Sequence, residues 1–182
     1  MKSSNRCKNN HIMREYKKYL CVPTKSGVRN FNSILSYFMY YAPYIDSAHC
    51  KHILSEKDAK EAYDKIMKKS DIGKYTKIIK RVRQDSYKKF DLEGDKICLE
   101  CNRMIFDKYS NEIELQALLR HIRNSLAHGF VYIYRNKKKK SVHIFLQDYD
   151  SNKKKITAKI VVDFSLLNDW KAIIENYYVI GE

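Results

Sequence analysis

Glycine and proline are scarce in this chain, five and two among 182 residues. Collagen-like repeats, glycine-rich linkers and many-turned sandwiches need more of both and are poor fits. Acid is short as well: 21 Asp and Glu stand against 36 Lys and Arg, a net charge of +15. An excess of that size points to a polyanionic partner, with an anionic membrane surface second. No stretch approaches the ~18 uninterrupted apolar residues of a membrane span. Residues 11–22 are broken by charge too often for a secretory leader. An even cysteine set is also missing. Cys7, Cys21, Cys50, Cys98 and Cys101 are odd in number and scattered, which predicts reduced thiols in a cytoplasmic protein rather than a disulfide framework.

What the chain does have is enough apolar and aromatic side chain for a core. Residues 1–27 form a basic N-terminal segment, in which Ile12, Met13, Tyr16 and Leu20 suit a short helix. Residues 28–129 read as a helical bundle. Phe31 to Tyr41 is dense in large apolar side chains and stops before Pro43. Ser55 and Asp58 resemble an N-cap box. The stripe Ile72, Tyr75, Ile79, Val82, Phe90 predicts a helix with Lys74, Lys77, Arg81 and Lys88 together on one face, a candidate phosphate-contacting stripe or simply a solvated one. A further helix is expected over 97–108. Residues 130–163 change to β-branched and aromatic runs separated by lysine-rich breaks, a small three-stranded antiparallel meander. Residues 164–180 close as a helix. The predicted class is thus mainly α with a small β part (α+β), a single domain over 1–182.

Residues 113–129 carry the chemistry. Leu115, Leu118, Leu119, Ile122 and Leu126 make one apolar helical stripe. Arg120, Asn124 and His128, four apart, share the opposite face, with Ala117 and Ala127 beside them and Arg123 on the flank. Gly129 follows as a helix-ending residue. A histidine beside a fixed cation suits proton transfer at a phosphate, although a helix-terminal histidine is more often a simple cap.

The string Arg123-Asn-Ser-Leu-Ala-His128 resembles the R-x4–6-H motif of the HEPN superfamily, and residues 118–129 resemble its small bacterial single-domain ribonucleases. In such proteins the motif ends a long helix, a polar residue follows the Arg and Gly follows the His. The resemblance implies an antiparallel helical bundle and a metal-independent endoribonuclease with no cofactor. It also implies a homodimer whose two subunits build one composite cleft. By resemblance, His128 is general base or acid, Arg123 holds the scissile phosphate, and Asn124 contacts the phosphate or orients His128. The products implied are 2′,3′-cyclic phosphate and 5′-OH ends. A toxin or antiphage effector is the implied setting, with RNA as substrate, an antitoxin or regulatory partner, and no membrane. Lys74, Lys77, Arg81, Lys88 and Arg120 are the candidate RNA-binding cations. The alternatives are a non-catalytic nucleic-acid-binding or regulatory HEPN module and, third, a protein-interaction adaptor.

Cys98 and Cys101 form a C-x2-C, but no second such pair exists, so two ordinary thiols are expected rather than zinc. His121 and His143 have no partner that the sequence names. Tyr132 and Tyr134 alternate with Val131 and Ile133 and could stack nucleotides if they face outward beside the motif.

Overall fold

The computed structural model describes residues 13–15, 30–45, 52–79, 84–94, 96–136, 138–152 and 155–178. Its elements in chain order are β1 (Met13–Glu15), α1 (Phe31–Ser36) running into a π-turn (Tyr37–Tyr41), α2 (Glu56–Lys68), a 3-10 turn (Lys69–Tyr75), β2 (Thr76–Ile79), α3 (Gln84–Lys88), β3 (Lys96–Cys98), β4 (Arg103–Asp107), α4 (Glu114–Ala127), β5 (Val131–Asn136), β6 (Ser141–Tyr149), β7 (Ile156–Asp163) and α5 (Phe164–Glu175).

The expected small meander is overturned. β5, β6 and β7 do pair consecutively and antiparallel, but they form only part of a five-stranded mixed sheet ordered β2-β4-β7-β6-β5. β4 adds antiparallel to β7, and β2 adds parallel to β4. The fold is therefore α+β around a central sheet, not a helical bundle with a β appendage. The helix expected over 97–108 is replaced by β3 and β4. On β4, Met104 and Phe106 enter one core while Ile105 enters another. A strand buried on both faces shows no polar alternation, so its apolar run can be mistaken for helix.

The stripe from Ile72 to Phe90 also breaks up. Ile78 and Ile79 pack against opposite cores, as strand neighbours do. Lys74 consequently lies in the 3-10 turn, Lys77 in β2 and Lys88 at the end of α3, on no common helix face. Arg81 lies outside the described residues. Met13–Glu15, expected within a short helix, is a strand paired with β3; the rest of that expected helix is outside the described residues.

Other expectations hold. The helix from Phe31 stops at Ala42, just before Pro43. Ser55 caps α2, its Oγ accepting from the Asp58 amide at 3.1 Å. Helix α5 is capped by Asp163, whose carboxylate accepts from the Ser165 amide at 2.8 Å.

Helices α1, α2, α4 and α5 cover one face of the sheet around Trp170, Phe38 and Phe106. The opposite face is covered by Tyr87, Leu92, Ile97 and Leu99. Arg103 pins this back layer. Although nearly fully buried, its guanidinium donates to the carbonyls of Phe90, Asp91, Cys98 and Cys101 at 2.8–2.9 Å. Cys98 and Cys101 are buried thiols with Sγ atoms 3.5 Å apart. Among the described residues no group of three potential metal ligands occurs, and no helix is long and apolar enough to cross a membrane.

Candidate functional site

Helix α4 packs on the sheet through Leu115, Leu118, Leu119, Ile122 and Leu126, all buried as the stripe predicts. Each such burial contributes on the order of 1.5–3 kcal/mol. Ala117, expected beside the motif, is also in the core; Ala127 is exposed. The helix and its cap carry two arginines and two histidines, and the fold treats them in two opposite ways.

Arg120 and His121 are both held in ion pairs, the first half-buried and the second fully buried. The Arg120 guanidinium forms a two-pronged ion pair with Glu112, Nε to Oε1 at 2.7 Å and Nη2 to Oε2 at 2.9 Å, and its carbon lies 4.3 Å from the Tyr109 ring centre. His121 is fully buried. Its Nδ1 lies 2.7 Å from the Asp148 carboxylate, and its Nε2 lies 2.9 Å from the Asp107 carbonyl and 3.2 Å from the Asp107 carboxylate. Burial works against the charged imidazolium and Arg120 opposes it too. Bonding to Asp107 and Asp148 outweighs both and holds its pKa above the ordinary histidine value.

Arg123 and His128 are left at the surface, both exposed, and among the described residues neither has a carboxylate within ion-pair distance. Asn124 links the two sets. Its Nδ2 donates to Asp148 at 3.3 Å, and its Oδ1 accepts from the Arg123 guanidinium at 3.4 Å. Acceptor-only Asp148 thereby fixes which end of the Asn124 amide faces inward.

The helix then ends in a Schellman turn. The Gly129 amide donates to Leu126 O at 3.2 Å and the Phe130 amide to Ser125 O at 2.9 Å. Gly129 has φ 69°, the left-handed conformation that this turn requires and that side chains resist. His128 occupies the cap, its amide bonded to Asn124 O at 3.0 Å. The turn sends Phe130 straight into the sheet, where its carbonyl accepts from the Gln147 amide at 3.0 Å.

Two clefts flank the motif. One, about 240 Å³, has Arg123 and Gln116 on one wall and Pro43, Tyr44 and Ile45 on the other. The second, about 460 Å³, is lined by His128, Phe130, Tyr149, Asp150, Lys155 and Thr157, with Tyr109 and Asp107 at its far side. Arg120 and Asn124 border both. The fold thus brings Arg120, Arg123, Asn124 and His128 to one region. None of the described candidate cations Lys74, Lys77 and Lys88 lines either cleft. Tyr132 and Tyr134 pack in the back layer, on the sheet face away from α4.

Sequence reasoning missed Glu112 as the partner of Arg120, and Asp107 and Asp148 as the partners of His121. One signal was available. Val142, Ile144, Leu146 and Asp148 recur at every second position, which places an aspartate on a core-facing strand series.

The description "HEPN pEK499 p136" names the family model that matches this chain, over residues 3–179. The chain belongs to that family and so to the HEPN superfamily. No curated protein and no solved structure matches the chain significantly.

Proposed function

We propose that the protein is a metal-independent endoribonuclease of HEPN type. The observation that carries this reading is the division of labour in α4. One arginine and one histidine are engaged in ion pairs, His121 fully buried and Arg120 half-buried, whereas Arg123 and His128, at the family's R-x4-H spacing, are exposed and without a carboxylate partner among the described residues. A stability role accounts for the first pair and leaves the second pair unexplained.

In this mechanism His128 accepts the proton of a ribose 2′-OH. The 2′-oxygen attacks the adjacent phosphorus, the P–O5′ bond breaks, and the leaving 5′-oxygen takes up a proton. The ends formed are a 2′,3′-cyclic phosphate and a 5′-hydroxyl. Arg123 stabilises charge on the phosphoryl oxygens as the bond order changes. Asn124, tied to Asp148, steadies the guanidinium. A single imidazole has to serve at both proton transfers or be joined by a second. A homodimer with the motif surfaces facing each other supplies the second from the partner copy. Exposed Ala127, small enough for close approach, and exposed Tyr40 and Tyr41 fit such a contact. A cytoplasmic toxin or antiphage effector, held in check by a neutralising partner, is the setting this activity suits. The net charge of +15 favours a second reading, an RNA-binding or regulatory HEPN module without cleavage.

The experiment is incubation of end-labelled RNA with EDTA, using wild type and His128→Ala. Cleavage to 2′,3′-cyclic phosphate ends by wild type alone supports the nuclease. RNA binding without cleavage by either protein supports the module. Cleavage that EDTA abolishes overturns the metal-independent mechanism, and cleavage that His128→Ala retains overturns the assignment of His128.

A further inference from the structure

We infer that the larger cleft beside His128 is a nucleoside subsite that selects the base flanking the scissile phosphate. This rests on the ribonuclease reading for its biological meaning, but its geometry is independent of catalysis.

The cleft is built by an irregularity in the sheet. Asp148 of β6 bonds His121 and Asn124 of α4, and the next residue, Tyr149, lines the cleft with its hydroxyl held by the Gln147 side chain. The register shifts at this point: Asp148 pairs with Ala158 and Tyr149 with Ile156, so Thr157 is the extra residue of β7. Bulges of this kind re-aim side chains and recur beside functional sites. Ala158 enters the helix-side core while its neighbour Thr157 lines the cleft.

The side chains brought together suit a nucleoside. Phe130 and Tyr149 are half-buried with ring centres 4.6 Å apart and planes at 57°, so they form a corner rather than a closed stack. His128 lies on the open side of Phe130, 6.4 Å between ring centres. A base stacked on this corner puts its ribose and phosphate toward the motif. Thr157 lines the cleft, and among the described residues its hydroxyl oxygen, covered in this conformation, has no hydrogen-bond partner; a turn about χ1 presents it to the cleft. A hydroxyl both donates and accepts, so it can bond the edge of a base, and leaving it unpaired is costly. Lys155, half-buried at the rim, supplies a cation for the neighbouring phosphate. The volume, about 460 Å³, falls within the roughly 300–1,000 Å³ of small-molecule sites.

The test uses the full-length protein and two readouts. The first is titration of wild type, Thr157→Val and Tyr149→Leu with each of the four nucleoside 3′-monophosphates, followed by NMR or calorimetry. The second is sequencing of cleavage ends from a random RNA pool in EDTA. Wild type is expected to favour one or two bases. Tyr149→Leu is expected to weaken binding about 5- to 150-fold, the range for losing one stacked base. Thr157→Val, nearly isosteric and well suited to a strand, is expected to flatten the base preference about three- to tenfold while leaving the unfolding midpoint in place. Equal affinity for all four nucleotides in wild type, or affinities unmoved by both variants, overturns the subsite, whether or not RNA is cleaved. Nucleotide binding that Thr157→Val and Tyr149→Leu impair, with no cleavage of RNA, keeps the subsite and removes the nuclease reading.

Discussion

One carboxylate oxygen of Asp148 serves both His121, at 2.7 Å, and Asn124, at 3.3 Å. The group that satisfies a buried imidazole is therefore also the group that orients the exposed motif. This atom adds a polar tie to the apolar packing of the motif helix on strand β6, and disturbing the buried pair carries over to Arg123 through Asn124.

Asp148→Ala tests that coupling. Removing one partner of a buried ion pair costs about 3–5 kcal/mol, so the urea midpoint should fall steeply. A gentler variant, Asn124→Ala, keeps the buried pair and frees only Arg123. It should leave stability within about 1 kcal/mol but lower the rate of RNA cleavage. Equal rates in wild type and Asn124→Ala would show that Arg123 needs no support.

Stability should depend on pH in opposite senses through two histidines. His121 has a raised folded-state pKa, so its contribution is complete below about 6.5, the unfolded value. It is lost as pH rises through the folded value. Burial depresses the pKa of His143 despite the pull of Asp163. Its contribution is present above about 6.5 and lost as pH falls. Together they place a maximum near pH 6.5. Urea midpoints across the neutral range should show it, with His121→Gln flattening the alkaline limb and His143→Gln the acid limb. If His121→Gln does not fold, imidazole titration by NMR in wild type reads the same two directions.

Gly129→Ala should destabilise by about 1–2 kcal/mol, because a side chain at φ 69° meets the following carbonyl. The same change shifts the turn that sets His128 and Phe130 on neighbouring walls. Cleavage should therefore fall further than the loss of folded protein explains, as judged by activity per folded molecule in circular dichroism.

Arg123→Lys keeps the charge but loses the flat fork that holds a phosphate at two oxygens. A loss of roughly 10²-fold in cleavage rate is expected, with an unchanged unfolding midpoint because the side chain is exposed. Lysine supporting full activity would mean that position 123 acts only as a general positive charge.

Arg103→Met should cost several kcal/mol for a different reason. Four backbone carbonyls at 2.8–2.9 Å lose their donor at once, and each unsatisfied group is worth about 1–3 kcal/mol. Limited proteolysis should then cut first in the back layer around Phe90–Cys101.

The motif helix was legible because one of its faces is apolar and the other is not. The stripe from Leu115 to Leu126, the glycine stop and the Arg123–His128 spacing all follow from that asymmetry. Strands β5, β6 and β7 were legible from their β-branched runs. β2 and β4 were not, because Met104, Ile105 and Phe106 are buried on both sides and no polar residue marks a face. The back layer was hidden for a related reason. Its anchor, Arg103, is a cation that looks like surface in sequence and is buried against four carbonyl acceptors that no local pattern announces. The partners of His121 lie 14 and 27 positions away, a distance across which only the folded sheet creates proximity.

The strand order has a consequence for synthesis. β4 precedes α4 in the chain and β6 follows it after β5, yet the two are not neighbours in the sheet; β7 lies between them. A growing polypeptide that has just produced β6 holds two sheet strips, β2-β4 and β5-β6, with no backbone ladder between them and only α4 packing on both. Only when residues 156–163 leave the ribosome can the middle strand slot in, bring Asp107 and Asp148 to either side of His121, and complete the wall that Thr157 provides. The cleft is therefore completed only once β7, the strand between β4 and β6, has been made.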